Sequence, residues 1–214
     1  MFNERTTDMF FLKCKNENCL SKAIFNEEFC FPHTEEKEKT VLEVKKFISS
    51  NKNIRGFNFS FMDLSGADFS GKDLSYSFFS YCNLKNANFR ECSISSAFFD
   101  FADLEGSDFS KCYANFSVFG GANLENALFK DATALSCNFL GANLKNMNFA
   151  NSDLRYSRFI NSITENASFF NTNMKKTIFR NVIFDEKSLK SSNPEDGIII
   201  DCKASDCEIK DYIL

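Results

Sequence analysis

Between Ile54 and Phe184 the sequence keeps an unbroken period of five, and few folds can carry such a period. Every position ending in 9 from Phe59 to Phe179 is Phe, thirteen of thirteen. Positions ending in 4 are mostly Leu or Ile: Ile54, Leu64, Leu74, Leu84, Ile94, Leu104, Leu124, Leu144 and Leu154. The exceptions are Ala114, Ala134, Thr164, Met174 and Phe184. Two residues before the large apolar one, 21 of the 26 sites from 57 to 182 hold Ala, Ser, Cys or Thr. The residue just before it is commonly Asp or Asn, as in Ala67-Asp68-Phe69, Ala87-Asn88-Phe89 and Ala142-Asn143-Leu144.

Five matches neither the helical period of 3.6 nor the strand period of 2. It requires a chain that turns a corner every five residues. Four corners close a square coil of twenty, and coils stack at about the strand spacing of ~4.8 Å. The large residue then fills the interior, the small one also faces inward, and the polar ones face water. Asp and Asn suit the corner through side chain–backbone hydrogen bonds. The ten-residue alternation of Leu and Phe puts Phe ladders on two opposite sides, and the coils add up to a rod of ~30 Å. The composition agrees: 28 Phe beside no Trp is one structural slot filled repeatedly.

The A-[DN]-L/F-x-x pattern resembles the pentapeptide-repeat family over at least residues 54–184. That resemblance implies an all-β fold, a right-handed quadrilateral β-helix. Of the five small slots that depart from the pattern, four are worth marking. Phe57 and Met62 lie in the first coil, where a cap replaces a neighbouring coil. Lys72 and Met147 read as mid-rod, so that Lys72 must snorkel or distort its turn.

The nine Cys would suggest disulfides in a secreted chain, but each has another explanation. Cys82, Cys92, Cys112, Cys137, Cys202 and Cys207 all end in 2 or 7. That places the four within the rod in the small inward slot, where a reduced thiol acts as a small hydrophobe. Cys14, Cys19 and Cys30 are followed by His33, the chain's one His, in the spacing C-x4-C-x10-C-x2-H. Three Cys and one His form a standard tetrahedral zinc set, and the segment resembles small zinc-finger modules with two short ligand pairs. With all four positions filled, a structural zinc is expected rather than a catalytic one; the alternative is a reduced cluster without metal.

Four segments are expected: a finger over 1–34, a capping helix over 35–52, the repeat over 53–189 and a C-terminal cap or partial coil over 190–214. Thr34 reads as the helix N-cap, Glu35 and Glu36 as its acidic first turn. Val41, Val44, Phe47 and Ile48 form the stripe that would cover the open end of the solenoid. After the break at Ser191–Gly197, Ile199, Ala204, Ile209 and Leu214 return to the old register.

No nucleophile–base–acid set and no Gly-rich phosphate loop is present, so no enzyme activity and no small-molecule substrate are expected. No apolar run has the length of a signal or membrane segment, and the chain reads as cytoplasmic. The net charge of -4 resides in residues 185–214, while the repeat itself is balanced, acidic toward 54–108 and basic toward 109–184. Positions that ought to be polar hold Phe61, Tyr76, Phe78, Tyr81, Phe98, Phe101, Tyr113, Phe116 and Val118. Such a patch marks an interface with a protein partner or a second copy, unless the finger or helix folds over it. The expected function is therefore a non-catalytic interaction scaffold. The resemblance implies an alternative, a DNA-mimicking binder of a type II topoisomerase (gyrase) that protects against quinolones or toxins. Direct nucleic-acid binding is not expected at a pI near 5.2.

Overall fold

The computed structural model describes residues 13–24 and 28–182 and the backbone of 198–200. From Asn53 onward the backbone pairs with itself in parallel at a spacing of twenty, as in Asn53↔Asp73, Asn58↔Phe78, Asp63↔Asn83 and Asp68↔Asn88. The five-residue period thus becomes a coil of twenty with four sides. Each side is extended for only two or three residues before the next turn, so most sides join by single bridges. Among the described residues full strands form in one column, where β1 (Arg158–Ile160), β2 (Ile178–Arg180) and β3 (Ile198–Ile200) pair in parallel. The pairing Phe179↔Ile199 places the returning register of Ile199 one rung above Phe179. Ala204, Ile209, Leu214, Cys202 and Cys207 lie outside the described residues.

Every fifth residue from Gly56 to Asn181 has a left-handed φ. At Phe61, for example, φ is 70° and the amide of Met62 donates to the carbonyl of Phe59. A positive φ at the third position alone is the mark of a type II turn. Gly and Asn tolerate it best and occupy many corners. Asn gains a second advantage, since Asn146 donates to Asn126 and Asn166 to Asn146 along one edge. The Asp and Asn residues before the large apolar ones act as expected. Asp63 and Asp68 accept the amides of Ser65 and Ser70 at 3.0 Å, and these bonds hold both carboxyls below their usual range.

The interior is a column of rings. Phe79 stacks on Phe99 at 4.9 Å and 4°, and Phe99 meets Phe89 edge-on at 5.7 Å and 89°. Every repeat Phe from Phe59 to Phe169 is fully buried. The small slots point toward the preceding coil. Ser77, Ser117, Ser157 and Thr177 donate to Ile54, Ile94, Ala134 and Leu154, each 23 residues earlier. Cys82, Cys92 and Cys137 do the same, and burial pushes all three thiols up to about 12. These cysteines are packing residues.

The direction of the slots explains three of the four departures. Phe57, Met62 and Lys72 are all slots of the first coil, which has no coil beneath it. Their longer side chains reach down into the cap: the Phe57 ring meets Phe47 at 5.2 Å, and Lys72 Nζ donates to the carbonyl of Asn51 at 3.0 Å. Lys72 is therefore not mid-rod, and its turn is undistorted, with Gly71 at φ 64° like the other corners. Met147 is mid-rod and buried.

Helix α1 runs from Lys37 to Ser50 and presents Thr40, Val44 and Ile48 to the core, with Val41 and Phe47 packed beside them. It starts two residues later than expected. Thr34 instead closes a 3-10 turn over Phe31–His33, its amide donating to Phe31, and Glu36 is the helix N-cap. No helix among the described residues is long and apolar enough to cross a membrane.

Candidate metal centre and interaction face

Two short turns build the candidate metal centre. The first lies between Cys14 and Cys19, where Asn18 takes φ 64° and the amide of Cys19 donates to Asn16. The second is the 3-10 turn of Phe31–His33, whose three-residue period brings Cys30 and His33 to one side. An antiparallel bridge, Lys13↔Lys22, and the bond from Ile24 to Phe29 hold the turns together. All four ligand atoms fall within 4.8 Å of one another. Cys19 Sγ and Cys30 Sγ are 3.7 Å apart; His33 Nδ1 lies 3.4 Å from Cys14 Sγ and 3.2 Å from Cys30 Sγ. Ordinary Zn–S and Zn–N bonds at tetrahedral angles give about 3.8 Å between sulfurs and about 3.6 Å between sulfur and nitrogen. The donor set suits a tetrahedral ion, and its spacing is of that order. At Cys14 burial opposes ionisation but is outweighed by hydrogen bonds from the Cys30 and Asn16 amides, from His33 and from Cys30, bringing the thiol to about 6. Burial and the neighbouring Cys14 and Cys19 push Cys30 up to about 11.

The finger sits on the base of the rod. Asn58 Nδ2 donates to the carbonyl of Lys22 at 2.7 Å, and Lys22 Nζ lies 3.9 Å from the centre of the Phe78 ring. Ile24 is buried in the same apolar cluster as Val44, Ile48 and Ile54.

The expected interface residues separate by column. Phe61, Tyr81 and Phe101 share one corner and stack at 5.0 and 5.1 Å. Phe78 and Phe98 stack on the adjoining side at 5.0 Å and 2°, with Val118 following. Tyr76 and Phe116 share the corner at the other edge of that side. Tyr113 is exposed on the next side and stands apart. Among the described residues of the finger, Lys22 reaches Phe78, while Tyr81, Phe101 and Phe116 are 51, 58 and 63% exposed. Tyr156 belongs to the same corner as Tyr76 and Phe116. Its spacing of forty from Phe116 was the sequence signal for it, whereas nothing in the sequence signalled that Lys22 would cover Phe78.

These aromatic corners are costly. Phe61, Tyr76, Tyr81, Phe101, Phe116 and Tyr156 have φ between 57° and 70°, a conformation that bulky residues avoid. The Phe101 ring lies where a Cβ on residue 121 would be, 2.6 Å from its Cε1, so that corner must be Gly. Phe116→Asn is expected to raise stability by about 0.5–1 kcal/mol in denaturant unfolding, because Asn relieves the corner. A loss of stability would mean that ring packing outweighs the strain.

Family models described as "Pentapeptide repeat region" and "Pentapeptide repeats (8 copies)" match residues 82–159 and 148–185. A search of curated proteins finds no match. Among solved structures, a trypsin-treated variant of QnrB1, a plasmid-mediated fluoroquinolone resistance protein, superposes with a TM-score of 0.57 at 23% identity, covering 66% of this chain and 69% of that one. HetL, a pentapeptide repeat protein involved in heterocyst differentiation regulation in Nostoc sp. strain PCC 7120, aligns at 16% identity over 73% of this chain and 95% of that one, with a TM-score of 0.30. A pentapeptide repeat protein from the Arabidopsis thaliana thylakoid lumen aligns at 26% identity over 55% of this chain and 68% of that one, with a TM-score of 0.31. With its unbroken register, its twenty-residue coil and the two family models that together match residues 82–185, the chain belongs to the pentapeptide-repeat family.

Proposed function

We propose that the protein is a non-catalytic, cytoplasmic interaction scaffold that binds a protein partner, or a second copy of itself, through the aromatic side of the rod. The observation that carries this reading is the set of bulky aromatics kept exposed at left-handed corners, where Gly or Asn would be more stable. Residues kept at a cost to stability point to function. On the same reading Cys14, Cys19, Cys30 and His33 hold a structural zinc, the finger and helix (1–34 and 35–52) cap a right-handed coil over 53–189, and residues 190–214 are a C-terminal cap or final partial coil.

Phe78→Ser/Phe98→Ser/Phe101→Ser should abolish self-association in light scattering, or partner capture in a pull-down, while leaving the unfolding transition cooperative. If both association and capture survive in the triple variant, the reading fails. The likeness to QnrB1 favours a second reading, protection of a type II topoisomerase by a rod that mimics duplex DNA. Gyrase supercoiling with and without a quinolone decides it, and no effect at micromolar protein would remove it.

A further inference from the structure

The aromatic side also differs from the rest of the rod in charge. Within the repeat of 54–184 it runs through residues 55–61, 75–81, 95–101, 115–121, 135–141, 155–161 and 175–181, one segment per coil, and the backbone of 198–200 continues the column above 178–180. These segments contain six bases, Arg55, Arg155, Arg158, Lys175, Lys176 and Arg180, against one acid, Asp100. The rest of the repeat between 54 and 184 holds eleven acids and six bases. In a chain of net charge -4, this one side is strongly basic.

The bases are not spread evenly. Five of the six fall in the last two segments, past most of the exposed aromatics. Arg55 pairs with Asp73 at 3.5 Å and Arg155 with Asp153 at 2.7 Å. Arg158, Lys176 and Arg180 are exposed and make no ion pair among the described residues, although Lys176 lies 5.7 Å from the centre of the Tyr156 ring. Elsewhere several bases are matched rung to rung, as in Lys85–Glu105 at 2.8 Å and Lys145–Glu165 at 3.1 Å, although Lys111 and Lys130 make no ion pair among the described residues. One side thus reads apolar and then cationic along the axis.

We infer that this side is the track for an extended, acidic polypeptide segment of a partner protein. The segment's aromatic or aliphatic side chains lie over Tyr81, Phe98, Phe101 and Phe116, and its carboxylates reach Arg158, Lys176 and Arg180. The inference rests on the interaction reading above and names the chemistry of the partner. From the coil of Phe98 to that of Arg158 is three coils, about 14 Å, and about five extended residues span it. Complementary charge fixes the register and the direction of such a segment.

Two other occupants fit less well. A second copy docked by the same side brings these cations onto an equally basic surface, with Asp100 alone to receive them. A nucleic acid supplies the charge but needs open ring faces on which to stack its bases. Here Phe61, Tyr81 and Phe101 stack on each other, Phe78 lies between Lys22 and Phe98, and Phe101 leans on Gly121. Rings stacked in this way leave their edges for a partner, and edges suit apolar side chains.

The test is selection of a random 16-residue display library on the immobilised full chain. Enriched peptides should be net negative and carry aromatic or aliphatic residues. Their binding should fall at least tenfold in Arg158→Glu/Lys176→Glu/Arg180→Glu, or in the triple Gln variant if the reversal does not fold, and it should weaken with salt. The inference is overturned if the winners are neutral or basic, if nothing is enriched, or if a labelled 20-mer of thymidylate binds as tightly as they do. It is also overturned if the winners lose binding in the Phe78/Phe98/Phe101 triple Ser variant but not in the charge variants. In that last case the aromatic interface stands and only the acidic partner falls.

Discussion

Phe99→Ala is expected to cost about 3–5 kcal/mol in denaturant unfolding, because the ring has no route by which its neighbours can fill the gap. Phe99 stacks on Phe79 and Phe119 at 4.9 and 5.0 Å and meets Phe89 and Phe109 edge-on at 5.7 and 5.9 Å. All four neighbours are held by their own coils, whose backbones hydrogen-bond at fixed spacing, so collapse into the void would break those bonds. A solenoid is nearly one-dimensional, and each coil is stabilised by the coils on either side. A void in the middle therefore weakens the coupling between two half-rods. The urea midpoint should fall, and the slope should fall too if the halves begin to unfold separately. Phe61→Ala, which removes an outward ring, should cost under about 1 kcal/mol. A loss below about 1 kcal/mol at Phe99 would contradict the inward ladder.

The interior was legible because the repeat constrains it rung by rung. Phe59 through Phe179 and the small slots needed only the period of five and the geometry of a stacked coil. Cys82, Cys92, Cys112 and Cys137 were legible for the same reason, since the slot leaves room for little else. The clustering of Cys14, Cys19, Cys30 and His33 could be read from spacing, because Cys30 and His33 lie three residues apart on a turn of matching period. What could not be read was direction. The small slots point toward the preceding coil, which sequence periodicity does not reveal, and so Lys72 passed for a mid-rod anomaly when it belongs to the base. The late start of α1 has a similar cause: Pro32 sets a 3-10 turn that leaves Thr34 extended at φ -80°, ψ 143°, and the helix begins only after it. The charge of the aromatic side was present in the sequence but hidden by counting along the chain. Grouping residues twenty apart gathers Arg158, Lys176 and Arg180 onto the side of Phe78 and Phe98.

Cys30→Ser should abolish metal binding, taking the zinc content of purified protein from about one ion per chain to none, and should loosen the base of the rod. Cys30 is the most buried ligand, and it links the finger's two turns through Cys19 on one side and His33 on the other. In small zinc modules the ion supplies most of the folding free energy, so a finger without it is not held in place. Here the consequence extends beyond the finger. Ile24 leaves the apolar cluster it shares with Val44, Ile48 and Ile54, which costs about 2–3 kcal/mol of burial, and the bond from Asn58 to Lys22 is lost. Hydrogen exchange should report this as a gradient. The amides of Ile54 and Phe59, bonded to Asp73 and Phe78, should exchange faster in Cys30→Ser, while that of Phe119, bonded to Asn138, should not change. A chelator applied to the unmutated protein should reproduce the pattern. Unchanged zinc content in Cys30→Ser, or metal-free protein prepared under reducing conditions, would overturn the site. Metal loss without faster exchange at Ile54 would mean instead that α1, through Phe47 on Phe57 and Asn51 on Lys72, caps the rod unaided.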